Sequence, residues 1–443
     1  MADLSIIVTA YNIEEYIEQC LKSVAAQTFN DIEVLVVDDG SSDSTPERIT
    51  RFCAHDSRFI PVLLAENSPG GVATAANAGL DRARGQWVGF VDGDDYIEPT
   101  MFERLVRAAR ADSTDLAICQ YLEVDSSGEL RDPADAHRWA EFNALLYPLD
   151  IHTRQQFLRL ISVPWRKLYR RDLLDDNAIR FPVTDALFED NPFHWFTLIM
   201  ARSIAVVPEV LCYHRVGRAG QTTASPHTRL LQIFSHHDTI HAWLVAKRLL
   251  DFYESTLLSW VISQMEWVSQ RIPPELHRAM FDLLVPIFAG YSPETLATAL
   301  REGNKGARAR HLCTAVAKRD YGGFSRAMSA RPGTKDPIAI ATFHLRHSGL
   351  RYTATLTGRY IRNRIRGGRL ARIVDRSKAT RDEPWARDVM FGLMVIQERL
   401  RELDSQLSSI NSRLAGIENH CSTVATQPSG QGAGDLEHEA PSG

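Results

Sequence analysis

Acidic residues follow directly on two short apolar segments in the N-terminal part of the chain. The first segment ends in Asp38-Asp39, and the second is followed by Asp92-Gly93-Asp94-Asp95. Two carboxylates separated by one residue present hard oxygen ligands side by side, which suits Mg²⁺ or Mn²⁺ bridging to a diphosphate. The alternative is structural, because such sequences are also typical of solvated acidic turns, and Asp38 and Asp39 beside Gly40 could form a turn or a helix cap.

A second acidic pair, Glu189-Asp190, lies further along the chain, directly before Asn191-Pro192. A carboxylate beside a bound hydroxyl can accept its proton as the oxygen attacks, which is general base catalysis. Acidic residues before a helical run also stabilise the positive end of the helix dipole, so the same pair predicts a helix N-terminus. The two interpretations are compatible with each other.

The elements that would position these residues alternate short apolar runs with longer helical patterns over the first 121 residues. This alternation is typical of βαβ units in an α/β domain with a largely parallel sheet. The predicted strands are 4–8, 32–37, 59–64, 86–91 and 116–121, and the predicted helices are 13–27, 45–53, 72–84 and 99–111. Ser44-Thr45-Pro46-Glu47 has the spacing of a capping box at the second helix.

Ligands of open α/β sheets bind outside the carboxyl ends of the strands, and here those ends are unusually polar. The polar residues after the first four strands are, in order, Thr9, Tyr11 and Asn12; 38–43; Asn67 with 70–71; and 92–95. We therefore expect four loops to converge on one crevice. The sequence has no GxGxxG or GxxxxGK[ST] pattern, which argues against a dinucleotide-binding fold or a P-loop. A cation held by carboxylates would then have to neutralise the phosphate charge.

Several segments together resemble the inverting family 2 glycosyltransferases of the GT-A fold. The matching segments are Ser5-Ile6-Ile7-Val8-Thr9-Ala10-Tyr11-Asn12, Val36-Val37-Asp38-Asp39-Gly40-Ser41-Ser42-Asp43, Asn77-Ala78-Gly79, Phe90-Val91-Asp92-Gly93-Asp94-Asp95 and Phe188-Glu189-Asp190. The resemblance covers roughly residues 3–225. It implies an α/β GT-A nucleotide-diphospho-sugar transferase domain over 1–225, with a central, mostly parallel sheet.

The resemblance implies how the donor would be held. Thr9, Tyr11 and Asp39 match the positions that hold the nucleotide base, which favours a uridine-diphosphate sugar. Asp92 would lie near the ribose and the donor sugar, Asp94 would hold Mn²⁺ or Mg²⁺ directly, and Asp95 would stand behind the metal ligands. The implied donor-binding residues are Thr9, Tyr11, Asn12, Asp39, Asn67, Asn77, Asp92 and Arg218, and the implied metal ligands are Asp94, Asp92 and His214.

The resemblance also implies catalytic and acceptor roles. Asp190 matches the general base that inversion by direct displacement needs, and Glu189 would orient the acceptor or its partners. Trp165 and Lys167 precede this motif, where an aromatic ring and a cation could bind an acceptor sugar. The alternative for these two residues is a buried tryptophan with a surface cation.

The segment around His214 and Arg218 matches a loop that closes over the donor. His214 would be a metal or diphosphate ligand and Arg218 a phosphate partner, although a lone histidine is more often structural. The sequence departs from the family pattern at Ala76, where many relatives have an arginine before the Asn-x-Gly of the third loop. Donor contacts would then be redistributed, to Arg82, Arg84 or Arg218.

The composition is that of an ordinary globular chain, with 44% hydrophobic and 24% charged residues among 443. No apolar run approaches the roughly 20 residues of a membrane-spanning helix, and the N-terminus lacks the basic start of a secretory signal. Six cysteines lie far apart without a CxxC pair, which argues against a zinc site or a disulfide framework. We therefore expect a cytoplasmic protein, at most peripheral at the inner face of the membrane.

Beyond the predicted transferase domain, residues 226–330 have a helical periodicity and predict a helical domain. The next segment, 331–383, is basic: between Leu345 and Arg381, eleven Lys or Arg stand against one acidic residue, Asp375. This charge, concentrated at 345–381, predicts contact with an anionic membrane surface or a polyanionic acceptor, or else a solvated linker. Nucleic acid is not an expected partner, because no recognition module accompanies the charge.

Residues 384–420 carry an unbroken heptad pattern. Its a positions are Leu393, Leu400, Leu407 and Leu414, and its d positions are Ile396, Leu403, Ile410 and Ile417. Leu at a with Ile at d favours three or four parallel strands, so we predict a coiled coil that forms a homotrimer or homotetramer through 389–417. The alternative is a single amphipathic helix packed on the helical domain. The tail, 421–443, has nothing to bury and is predicted to be disordered.

The sequence thus predicts an enzyme that moves a sugar from a nucleotide-diphosphate donor to a hydroxyl of a cell-surface glycan, polymer or lipid-linked acceptor. One alternative is a non-catalytic scaffold that binds a nucleotide sugar or glycan and is oligomerised by its coiled coil. The joint presence of Asp39, Asp92, Asp94 and Asp190 argues against this scaffold. Another alternative is a nucleotidyltransferase, but the chain lacks the basic, Gly-rich triphosphate loop expected near the N-terminus.

Overall fold

The computed structural model describes residues 2–68, 71–218 and 228–329. The predicted basic segment, the coiled coil with its trimer or tetramer, and the tail lie outside these residues and stay predictions, as does the part of the predicted donor loop after Arg218. Within the described parts of the chain, no helix combines the length and the apolar character needed to cross a membrane.

Ten strands of the described residues form one sheet. They are β1 (Leu4–Ala10), β2 (Ile32–Asp38), β3 (Phe59–Leu63), β4 (Trp87–Asp92), β5 (Tyr96–Ile97), β6 (Leu116–Val124), β7 (Leu130–Arg131), β8 (Leu146–Pro148), β9 (Lys167–Arg170) and β10 (Ser203–Arg215). The order across the sheet is β3-β2-β1-β4-β9-β6-β10-β5, with β7 beside β6 and β8 beside β10. The strands β1 to β4, β6 and β10 share one direction, and the other four run against their neighbours. The predicted, mostly parallel sheet is confirmed.

The helices cover the sheet and form the C-terminal part of the described chain. They are α1 (Ile17–Ala25), α2 (Thr45–Cys53), α3 (Ala73–Leu80), α4 (Met101–Ala111), α5 (Ile151–Phe157), α6 (Arg171–Asp176), α7 (Asp190–Met200), α8 (Ser235–Ala246), α9 (Leu250–Ser269), α10 (His277–Ala289), α11 (Pro293–Glu302), α12 (Ala307–Ala317) and α13 (Tyr321–Ser329). The four helices predicted between the first strands are α1 to α4. The helical content predicted after residue 226 is present in α8 to α13, while the domain boundaries remain predictions.

The N-terminus of α2 differs from the predicted capping box. The Ser44 side chain makes no capping hydrogen bond. Instead, the Asp43 carboxylate accepts a hydrogen bond from the backbone N–H of Thr45 at 2.9 Å. A charged acceptor in the same turn therefore does what the hydroxyl was expected to do, and it also complements the helix dipole.

The core lies where α3 and the central strands pack together. Every residue of β1 is buried, as expected for a parallel strand covered on both faces. Gly79 allows α3 to approach β1, because a Cβ at this position would lie 2.5 Å from Ile7 Cγ2. The Asn-Ala-Gly motif therefore includes a glycine that helix-to-sheet packing requires.

The strand β9 was not predicted, and it changes the environment of the segment after Trp165. It lies antiparallel between β4 and β6, with Tyr169 opposite both Val88 and Leu116. Four residues are too few for a periodic signal, so only tertiary pairing reveals this strand. As a result, Lys167 stands in the middle of the sheet.

Candidate active site

The carboxyl ends of β1, β2 and β4 lie side by side, as the sequence predicted. Ala10 is opposite Asp38, and Thr9 is opposite Asp92. The Thr9 hydroxyl donates to Asp92 Oδ1 at 3.5 Å. Tyr11, directly after β1, is 45% exposed at the same edge of the sheet. The strand order thus brings the ends of three strands, and the loops that follow them, to one edge of the sheet.

Gly93 lets the loop after β4 turn back onto β1. Its N–H donates to the Thr9 carbonyl at 2.9 Å. A Cβ at Gly93 would lie 2.6 Å from Ile13 Cδ1 and 2.8 Å from the Thr9 oxygen. The glycine between Asp92 and Asp94 is therefore required by this close approach.

The adjacent carboxylates Asp38 and Asp39 accept hydrogen bonds from different loops. Asp38 holds its own turn, accepting from the Ser41 N–H at 2.9 Å and from the Ser41 hydroxyl at 2.5 Å. Asp39 instead accepts from the Ser68 hydroxyl at 2.8 Å and from Asn67 Nδ2 at 3.2 Å. Burial raises the pKa of Asp39, against the hydrogen bonds from Ser68. The turn interpretation is correct for Asp38, while Asp39 joins the loops after β2 and β3.

A cluster that could hold a cation lies at the end of β4. Ligand atoms of Asp92, Asp95 and His214 lie within 4.8 Å of one another. His214 Nδ1 is 2.8 Å from Asp95 Oδ2, and the other Asp95 oxygen accepts from the Arg215 N–H at 2.8 Å. The Trp165 ring stacks on the His214 ring, with centroids 5.2 Å apart. The imidazole is therefore held in place from two sides.

The electrostatics of this cluster favour positive charge. Burial raises the pKa of Asp92, and the charges of Asp95 and Asp94 add to the effect. Burial alone would lower the pKa of His214, but the Asp95 carboxylate outweighs it and raises that pKa to about 9. A divalent cation would therefore be favoured here and would compete with the proton on His214. Oxygen and imidazole donors together suit Mn²⁺, and the carboxylates suit Mg²⁺.

Asp94 lies in the same loop but faces a different partner. Its Oδ2 accepts from Nε of Arg218, and its backbone carbonyl accepts from the Arg215 guanidinium. Both arginines lie near the Tyr16 ring, with Cζ at 5.2 Å for Arg215 and 5.8 Å for Arg218. The structure thus brings together the predicted metal ligand Asp94 and the predicted phosphate partner Arg218.

Asp190 is the first residue of α7, so the predicted helix N-terminus is present. Its Oδ1 accepts from Asn191 Nδ2 at 3.0 Å. Burial raises the pKa of Asp190 to about 6, although the Lys167 charge lowers it. The negative charge of Asp190 also raises the pKa of Asp92. The carboxylate is thus close enough to the cation cluster to interact with it electrostatically.

Glu189 joins the loop before α3 to the start of α7, and its predicted role, to orient the acceptor or its partners, stays a prediction. Its Oε1 accepts from the backbone N–H of Val72, just before α3, at 2.7 Å. Gly71 has φ +70, and a Cβ there would lie 2.9 Å from the same oxygen. Burial, and then the charge of Asp190, raise the pKa of Glu189 to about 7. Glu189 is therefore placed to position the loop after β3 against α7.

The predicted acceptor residues Trp165 and Lys167 are buried, at 4% and 1% exposure. Lys167 Nζ donates to the backbone carbonyls of Ser162 at 3.1 Å and Val163 at 2.7 Å. Neither side chain therefore offers a surface to an acceptor sugar. Trp165 supports His214. Burial, and then the charge of Arg166, lower the pKa of Lys167, and the negative charge of Asp190 opposes this effect.

Two asparagines predicted to bind the donor hold backbone segments in the fold, and their donor contacts stay predictions. Asn12 Oδ1 accepts from the Ser42 N–H at 2.8 Å. Asn77 Oδ1 accepts from the Phe181 N–H at 3.0 Å, and Asn77 Nδ2 donates to the Phe181 carbonyl at 2.8 Å. Both polar atoms of the Asn77 side chain are thus engaged by one residue in the segment before α7.

Replacing Asn77 by Ala is expected to lower the free energy of unfolding by about 1–3 kcal/mol, because two backbone groups of Phe181 lose their partner. The dissociation constant for UDP should stay unchanged in the folded protein. Denaturant unfolding and calorimetric titration measure the two quantities, with the exposed Asn30→Ala as control. A variant of unchanged stability that loses UDP affinity would instead favour the predicted donor contact.

Sequence reasoning did not single out Ser68 and Asn191 as site residues. Ser68 directly follows Asn67, and Asn191 directly follows the acidic pair, so adjacency to a motif was the available signal. Both side chains make hydrogen bonds to a predicted site carboxylate, Asp39 or Asp190.

Comparison with known proteins identifies the family of this chain. The sequence model described as Glycosyl transferase family 2 matches residues 5–177. EpsH of Bacillus subtilis (strain 168), by its name a glycosyltransferase, is 30% identical over 263 residues, or 58% of this chain and 74% of EpsH. The chain belongs to glycosyltransferase family 2, as its motifs predicted.

One solved structure and one further relative are also similar to this chain. The crystal structure of S. aureus TarS 1–349 in complex with UDP-GlcNAc matches with a TM-score of 0.56 and 21% identity, over 74% of this chain and 91% of that one. This similarity shows a shared, GT-A-like fold. The hyaluronan synthase of Pasteurella multocida is 35% identical over 143 residues, which are 32% of this chain and 14% of the synthase.

Proposed function

We propose that the protein transfers a sugar, with inversion, from a UDP-sugar to a hydroxyl of a glycan or lipid-linked acceptor. The observation that carries this proposal is the position of Asp190. Its carboxylate, with a pKa raised by burial to about 6, interacts electrostatically with Asp92 of the cation cluster. This interaction supports a base and a leaving-group site that would act together.

The donor end of the crevice would be formed by Thr9, Tyr11 and Asp39. Asp39 is supported by Asn67 and Ser68, so its carboxylate has a defined orientation toward a base such as uracil, whose imide N–H can donate to it. The UDP-GlcNAc bound to the fold relative TarS supports a uridine nucleotide.

The cation would be held by Asp94, Asp92 and His214. Asp95 Oδ2 is hydrogen-bonded to His214 Nδ1, so Nε2 is the ring nitrogen that would bind a cation. A histidine that binds a metal usually has a carboxylate or another acceptor at its second ring nitrogen. When bound, a divalent cation neutralises the diphosphate leaving group. Arg218, next to Asp94, would add a guanidinium to the same phosphates.

Asp190 would accept the proton of the acceptor hydroxyl as its oxygen attacks the anomeric carbon. The bond from the anomeric carbon to the β-phosphate oxygen breaks in the same step, and UDP leaves with the bonding electrons. A single displacement of this kind inverts the anomeric configuration. Asn191 and Lys167 stabilise the ionised form of Asp190 beforehand.

The test of this function is a donor screen. Purified protein is incubated with UDP-glucose, UDP-galactose, UDP-GlcNAc, UDP-GalNAc and GDP-mannose, with and without Mn²⁺, and nucleotide release is measured with water and with glycan acceptors. We expect a uridine nucleotide sugar to be used, and only with the cation. The hyaluronan synthase among the relatives makes oligosaccharides the first acceptors to try. Release from no donor under any condition would contradict the proposal.

Turnover at saturating donor and Mn²⁺ is expected to fall as the pH drops below about 6. Asp190 accepts a proton only when ionised, and below its raised pKa the carboxyl group already carries one. The measurement is kcat for UDP release from acidic to neutral pH. Asp185→Asn is the control, because it removes an exposed carboxyl group five residues from Asp190 and should leave the acid limb in place. A kcat that stays flat through pH 6 would contradict Asp190 as the base.

A further inference from the structure

Asn191, the residue after the proposed base, has all the hydrogen-bond partners that its side chain can take. Its Oδ1 accepts from the Ser162 hydroxyl at 2.8 Å and from Trp260 Nε1 at 3.1 Å. Its Nδ2 donates to the Phe188 carbonyl at 3.0 Å and to Asp190 Oδ1 at 3.0 Å. A side-chain amide offers two donors and two acceptor sites, so this network is complete.

The chemistry of the partners fixes the direction of this amide. An indole N–H can only donate and a backbone carbonyl can only accept, so Oδ1 must face Trp260 and Nδ2 must face Phe188. Asn191, Ser162 and Trp260 are 6%, 8% and 8% exposed. Little water is available to replace a missing partner. The amide N–H is therefore held toward the Asp190 carboxylate.

The turn that carries Asp190 is strained and needs support. Phe188 has φ +73, a conformation that is costly for a bulky residue. Its carbonyl accepts from both the backbone N–H and Nδ2 of Asn191. Its ring packs edge-on against Trp267, with centroids 5.7 Å apart. Trp260 and Trp267 are seven residues apart on α9, which places them on one face of that helix.

We propose that Trp260 is a positioning residue for sugar transfer, whose indole N–H orients Asn191 so that Asn191 holds the Asp190 carboxylate in its reactive position. The helix α9, outside the segment matched by the family model, thereby takes part in building the catalytic turn. This inference rests on the proposed function of Asp190 as general base.

The charge environment of Asp190 adds an independent readout. The hydrogen bond from Asn191 lowers the pKa of Asp190, so loss of that bond should raise the pKa and move the acid limb of kcat to higher pH. The other charged or titratable groups that interact with Asp190 are Lys167 and Tyr169 from β9, Asp92 from β4, and the neighbouring Glu189. None of them is changed by a substitution in α9.

The experiment replaces Trp260 by Phe and compares it with Trp195→Phe. Trp195 is buried in α7, and its Nε1 has no hydrogen-bond partner among the described residues, so the control loses the same volume without losing a bond. UDP release is measured with the UDP-sugar turned over fastest in the donor screen. We expect Trp260→Phe to lower kcat about tenfold relative to the control, with KM unchanged, because a misplaced catalytic group is costly. The acid limb should shift to higher pH only in Trp260→Phe.

Further variants make the outcome decisive. Benzothienylalanine at 260 replaces the N–H by sulfur in nearly the same volume, so it should reproduce the loss even if Trp260→Phe folds poorly. Trp260→Phe should add little to Asn191→Ala, since both act through one amide. Equal kcat values and acid limbs for the Trp260 and Trp195 variants would overturn the inference. Asp190→Asn separates the two proposals: if it stays active, the proposed base is wrong, whereas an inactive Asp190→Asn beside an unaffected Trp260→Phe overturns only the role of Trp260.

Discussion

Replacing Asp190 by Asn is expected to lower turnover about 10²–10⁴-fold, the usual contribution of a general base. The amide is nearly the same size, so the turn should keep its fold, but it cannot accept the proton of an attacking hydroxyl. UDP should bind almost as before, because the implied nucleotide contacts come from the loops after β1 and β2. Single-turnover transfer and calorimetric titration with UDP measure the two effects separately.

The matched control for this variant is Asp185→Asn, which makes the same chemical change at an exposed position five residues earlier. It should leave both turnover and UDP affinity unchanged. If Asp190→Asn loses UDP affinity but keeps its turnover, Asp190 belongs to the donor site and another group must take the proton.

Chelation of divalent cations is expected to stop sugar transfer almost completely, and Mn²⁺ or Mg²⁺ should restore it. A divalent cation can supply several kcal/mol of charge stabilisation to a leaving diphosphate. The Asp95 carboxylate raises the pKa of His214 to about 9, so a proton on His214 competes with the cation below that pH. The Mn²⁺ concentration for half activation should therefore rise as the pH falls from 9 toward neutrality.

Substitutions distinguish which carboxylate ligates the cation. Asp95→Asn should weaken activation by Mn²⁺ about 10–100-fold, as expected when the group that orients a ligating histidine is changed. Asp94→Asn and His214→Ala should weaken it further, while the exposed Asp112→Asn should have no effect. If Asp94→Asn is harmless and Asp95→Asn is the most damaging, the cation is held by Asp92, Asp95 and His214, the three groups that lie within 4.8 Å. Transfer that survives chelation would exclude a cation role altogether.

The convergence of loops was predictable because it depends on local signals. Short apolar runs marked β1 to β4, and parallel strands place their carboxyl ends at one edge of the sheet. Asp39 and Asp92 therefore had to lie at the same edge of the sheet, whichever strands are neighbours. The start of α7 at Asp190 was predictable for a similar reason, since acidic residues stabilise the first turn of a helix.

The roles of individual polar side chains were less predictable, since they depend on partners that are distant in sequence. Asn77 is fastened to Phe181, 104 positions away, and Glu189 to Val72, 117 positions away. Both residues stand in motifs that predicted direct contacts with substrate. In the fold, both side chains are hydrogen-bonded to the backbone of segments that are distant in sequence.

The sequence by itself determined the family, the alternation of strands and helices, and the edge of the sheet at which the chemistry lies, because each follows from short-range pattern. Tertiary structure alone decided that Lys167 is buried by the four-residue strand β9. It also decided that Trp260, 69 positions from Asn191, donates a hydrogen bond to that residue, next to Asp190. The physical reason is that a buried polar atom must find a partner wherever the fold supplies one. That choice depends on which distant segments pack together, which no local pattern records.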